Sequence, residues 1–98
     1  MSVLGRLRLL QRARDVPDPF ETLELQSRLG RLAAELHWLD SSTERRFARG
    51  HHLHAAMEAY ERTLDDACRL AGLPVEPGRG PAHRLLAETA LQQRGWAW

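Results

Sequence analysis

The chain has 98 residues, room for one domain and a modest core. Its 17 Leu and 13 Ala stand against 3 Val and no Ile, a composition that starves a β-sheet and suits helices. Fourteen Arg against 13 acids leave a net charge of +1, which argues against a general nucleic-acid binder.

Every basic residue is Arg, a bias expected of a GC-rich bacterial genome, and the absence of Lys rules out Schiff-base chemistry and a P-loop lysine. One cysteine, Cys68, excludes an internal disulfide, and its place among Leu64, Ala67 and Ala71 suits burial. No apolar run is long enough to span a bilayer, and Arg6 and Arg8 break up any secretory signal, so a cytoplasmic location is expected. A catalytic signature is also missing: there is no Gly-x-Ser-x-Gly, no Cys beside a His base and no phosphate loop. Neither an enzyme nor a bound cofactor is expected.

Taken in order, residues 1–18 read as a basic N-terminal helix and linker. Val3, Leu4, Leu7 and Leu10 share a helical face over 2–14, and Arg6, Arg8, Arg12 and Arg14 give the segment its positive charge. The same Arg-rich, acid-poor pattern is shared by mitochondrial transit segments, although a docking helix is the simpler expectation. A new helix starts at 19, with Asp18 as N-cap, Pro19 at the first position and Glu21 completing a capping box.

The central region, 19–72, carries the strongest pattern. Leu25, Leu29, Leu32, Leu36 and Leu39 step by four and three, the spacing of a helical seam. Leu53, Met57, Tyr60, Leu64, Ala67 and Ala71 repeat it two heptads later. Three chain paths fit. The helix can break at Asp40-Ser41-Ser42, where Ser41 and Glu44 can form a capping box, or at Gly50 after Arg45, Arg46 and Arg49. It can also run unbroken for about 50 residues as a coiled coil in a dimer. Short connections favour antiparallel neighbours, so a long helical hairpin is the expected architecture of an all-α bundle with short terminal helices.

Gly72, Leu73 and Pro74 close the region as a Schellman stop, and 73–81 is a Pro/Gly linker. The segment 82–98 reads as a C-terminal helix with a Trp tail. Its apolar side is expected from Leu85, Leu86, Ala90 and Leu91.

Three kinds of site compete. The Leu25–Leu39 seam, Trp38 beside it, and the tail residues Trp96 and Trp98 suit contact with a protein partner, a second copy or another helical protein. Folding back over the last helix as an anchor is the simpler expectation for the tail. The Arg clusters (Arg6 to Arg14 with Arg45, Arg46 and Arg49) form the alternative, an anion or nucleic-acid surface, though Glu58, Glu61, Asp65 and Asp66 follow and oppose it. His51, His54 and Glu58 fall on one helical face and are the candidate metal ligands, needing a fourth from elsewhere. A non-catalytic interaction or self-association module is the expectation these patterns support most broadly.

Overall fold

The computed structural model describes the backbone of residues 18–41 and 46–98, and the side chains of 18–40 and 50–98. Among these residues the structure is all-helical. Helix α1 spans Pro19–Ser41, α2 spans Arg46–Leu70 and α3 spans Pro81–Gln93. The expected helix over 2–14 and the Ser41–Glu44 capping box lie outside the described residues.

Helix α1 starts as the sequence dictates. The Asp18 carboxylate accepts the Phe20 N–H at 2.9 Å, and the Asp18 carbonyl accepts the Thr22 N–H at 3.0 Å. An N-terminal donor left over by the helix is thereby satisfied, and a negative charge sits at the positive end of the dipole. Helix α1 ends at Ser41, inside the Asp40–Ser42 option for the break, and the Gly50 option is overturned because Gly50 lies within α2. A glycine inside a helix costs only about 1 kcal/mol, less than burial of the following seam returns.

The two long helices pack side by side and antiparallel. Leu25 shares a groove with Leu70, Leu32 with Ala59, and Glu35 with Ala55 and Ala56, so position rises along α1 as it falls along α2. This hairpin replaces the unbroken rod, whose ends could not meet in this way. Leu29, Tyr60, Leu64, Ala67 and Cys68 form the centre of the core, joined by Ala87, Leu91 and Trp96 from the C-terminal part. Leu25, Leu32, Leu36 and Met57 pack around it half-buried, and Leu39 is buried at the end of α1 that leads on to α2.

Helix α2 closes with the Schellman pair: Leu73 N–H to the Cys68 carbonyl at 2.9 Å and Gly72 N–H to the Arg69 carbonyl at 3.1 Å. Gly72 takes φ +69°, a left-handed conformation that any side chain would strain. Helix α3 ends the same way, with Trp96 N–H on the Leu91 carbonyl, Gly95 N–H on the Gln92 carbonyl, and Gly95 at φ +90°. This second stop turns the chain so that Trp96 lands on the core beside Leu91.

One expectation for α3 is corrected. Its inward side is Ala87 and Leu91, whereas Leu85 and Leu86 are 67% and 58% exposed. The rotation is fixed by polar attachments at His83, Arg84 and Glu88, which place 84, 87, 88 and 91 towards α2. Leu85 and Leu86 are then carried to the outer side, because successive helical positions are about 100° apart.

Candidate interaction face

The hairpin has two broad sides, and the chain treats them differently. One is sealed by α3 and the tail. Glu61 and Asp65, one turn apart on α2, both project to that side because they flank the buried Tyr60 and Leu64. Glu61 accepts the Gly80 N–H at 3.0 Å and the Arg84 guanidinium at 3.4 Å. Asp65 meets His83 Nε2 at 3.1 Å and accepts from Arg79 at 3.1 Å. Two nearly buried carboxylates thus hold the linker and the start of α3, and each has a cationic or N–H partner that offsets its desolvation.

Farther along, the Tyr60 hydroxyl donates to Glu88 at 2.7 Å and accepts from the Trp98 indole N–H at 3.2 Å. Burial, aided by the neighbouring Glu88 carboxylate, pushes the phenol well above its ordinary pKa of 10.0. The Cys68 thiol is likewise pushed up by burial and by the nearby Asp65 charge. Such a thiol packs as a small apolar group and is a poor nucleophile. The tail is tied across to α1 by the Ala97 N–H on Gln26 Oε1 at 2.9 Å. Trp98 packs beside Gly30, where an added Cβ would lie 3.9 Å from the Trp98 Cβ, an ordinary contact. Among the described residues no buried side-chain polar atom lacks a partner.

The opposite side is a groove running the length of the hairpin. Glu21, Leu25, Arg28, Leu32 and Glu35 of α1 line one wall. The other wall is α2, where Ala55, Ala56, Ala59 and Thr63 are small and keep the groove open. Its middle stretch encloses about 370 Å³. The wall residues Leu25, Leu32 and Ala59 are only half-buried. Charges rim the floor: Glu21, Arg28 and Glu35 recur every seventh residue on α1, while Arg69, Asp66 and Arg62 follow in that same direction on α2.

The residues singled out in the sequence divide between these places. Leu29 and Leu39 are buried within the hairpin, Leu25 and Leu32 reach the groove, and Leu36 is half-buried beside the core. Trp96 is 8% exposed and Trp98 half-buried, so both turn inward onto their own chain. Trp38 is 56% exposed on α1, and Phe20 and Leu23 near the start of that helix are exposed still further. His54 and Glu58 lie 3.5 Å apart on an exposed stretch of α2, and the His51 ring centroid lies 6.3 Å from that of His52. Among the described residues no three potential ligands are placed to hold a metal ion. Arg6, Arg8, Arg12, Arg14 and Arg45 lie outside the described residues. So do the side chains of Arg46 and Arg49, although their backbone belongs to α2.

The carboxylate latch of Glu61 and Asp65 was not read from the sequence. Its signal was present: two acids one turn apart beside the seam, and Arg79, His83 and Arg84 clustered past the linker. No helix among the described residues is long and apolar enough to cross a membrane. Comparison of the chain with protein-family models, curated proteins and solved structures gives no match.

Proposed function

We propose that this chain is a non-catalytic protein-interaction module that works through the open groove of its helical hairpin. The observation supporting this is the asymmetry of the hairpin. Its α3 side is closed by apolar packing and a set of paired carboxylates, while the other presents half-covered Leu25, Leu32 and Ala59 and exposed Ala55 between charged rims. Such a groove suits an amphipathic helix, whose apolar stripe completes the bundle and whose polar flanks meet the rims. Full burial of a large apolar side chain contributes about 1.5–3 kcal/mol, and Leu25 and Leu32, already half-buried, each add part of that on being covered. The mechanism is therefore burial, guided by charge, and the chemistry is binding alone. A cytoplasmic setting agrees with the Arg-rich, cysteine-poor composition.

The test is the apparent mass of the full-length protein in an extract of the cells that make it. An assembly heavier than the 11.2 kDa chain is expected, and Ala59→Glu is expected to return it to the mass of the chain with helicity unchanged. A wild-type protein travelling alone at its cellular concentration would refute the reading.

A further inference from the structure

Helix α3 and the tail are attached to the hairpin differently from the way α1 and α2 are joined. The hairpin closes on large apolar side chains, Leu29, Leu36 and Leu39 of α1 with Met57 and Leu64 of α2. The C-terminal segment brings fewer of these. Leu91 and Trp96 are buried and Trp98 half-buried, and the other inward residue of α3 is Ala87. Much of the remaining attachment is polar and meets two carboxylates, Glu61 and Asp65, whose partners all lie between Arg79 and Arg84. Helix α3 runs beside α2, and the tail crosses to α1 at Gln26.

That chemistry decides what it costs to lift the segment away. An apolar side chain loses its burial outright when uncovered. A carboxylate and its cation instead exchange each other for water, so their pairing gives little net stability. The linker supplies the pivot. Among the described residues no backbone group from 74 to 79 bonds to another backbone group. Two glycines in left-handed conformation flank the stretch, Gly72 at φ +69° and Gly80 at φ +97°. Pro74, Pro77 and Pro81 stiffen the chain, which concentrates rotation at the glycines.

We infer that α3 and the tail, residues 81–98, are a hinged strap that swings off as one unit while α1 and α2 stay paired. The Trp96 N–H on the Leu91 carbonyl ties the tail to α3, so the two leave together. Closed, the strap withholds Tyr60, Leu64 and Ala67, a second apolar face of the hairpin edged by Glu61 and Asp65. Open, it releases that face and lets both carboxylates hydrate. The strap is thus a conformational device on the side away from the groove, and it stands or falls separately from the groove's reading.

Amide hydrogen exchange of the purified full-length protein tests this residue by residue. A helix of 13 residues is marginal alone, so α3 amides exchange once the strap is off. Amides from Leu85 to Gln93 should share one protection, roughly tenfold or more below that of Leu64 and Ala67. Low urea should speed them less steeply, because opening exposes less surface than unfolding does. Leu39→Ala, at the end of the hairpin away from the strap, should lower protection in α2 by about thirtyfold or more and leave α3 unchanged. Asp65→Asn should lower α3 protection by about tenfold, since it strands His83 and Arg79 in the closed state alone. Equal protection and equal urea dependence in α2 and α3 would mean that α3 leaves only when the whole chain unfolds, and so would a parallel fall in both with Leu39→Ala. Either result overturns the strap. If Leu39→Ala does not fold, the urea dependence of the unaltered chain decides. An α3 indifferent to Asp65→Asn overturns the part given to the carboxylates.

Discussion

At the scale of single residues, the core is small enough that one side chain matters. Leu64 is fully buried at the meeting of all three helices, and Leu64→Ala should cost about 2–5 kcal/mol in chemical denaturation. A result under 1 kcal/mol would mean the site is not packed as described. Tyr60 offers a cleaner probe, because it is the only tyrosine and the chain has no lysine to titrate beside it. Folding keeps its phenol protonated, so on raising the pH the unfolded chain loses that proton first, near 10.0. Stability is fully present below that pH and declines above it, until the folded phenol ionises as well. Cys68 adds a decline of the same sign from its ordinary 9.0 upward. Tyrosinate absorbance in the folded protein should therefore rise only well past pH 10, and Tyr60→Phe should flatten much of the alkaline loss. Ionisation at the ordinary value would show the ring to be open to water.

At the scale of elements, the sequence was most legible where local chemistry and periodicity agreed. Asp18-Pro19 marks the start of α1, Gly72 and Gly95 mark two helix ends, and the leucine seam finds its partner in Tyr60 and Leu64. Each of these is set within a few residues or by a repeat. The position of the break was harder, since the Asp40–Ser42 and Gly50 signals are of similar strength and only packing of α1 along α2 chooses between them. The rotation of α3 was misread because Leu85 and Leu86 outweigh Ala87 in hydrophobicity. Long-range pairs from Glu61, Asp65 and Tyr60 fix it instead, and such pairs leave no periodic trace. The groove was equally hidden, being defined by what α3 leaves uncovered. The stops themselves can be tested. Gly95→Ala meets no atom within 4 Å, so its cost of about 1–2 kcal/mol is conformational. Turning of the tail depends on that residue, so the Trp96 and Trp98 emission should shift to the red. Unchanged emission and stability would show that the turn does not position the tail.

At the scale of the whole molecule, a chain of 98 residues has a limited core, and two long helices covered on one side only are stabilised further by whatever covers the other. The exposed Phe20, Leu23 and Trp38 lie on α1 away from the core, outside the groove, and extend the apolar surface at both ends of the hairpin. Protection of the groove floor in its native setting tests this most directly. A full-length Ala59→Cys variant can be treated with a thiol reagent in cell extract and, separately, as dilute purified protein, with buried Cys68 as the internal unreactive reference. Rapid labelling at position 59 in dilute solution and strong protection in extract are the expected results. Equal, rapid labelling in both would contradict the assignment of this groove as a surface that another protein covers.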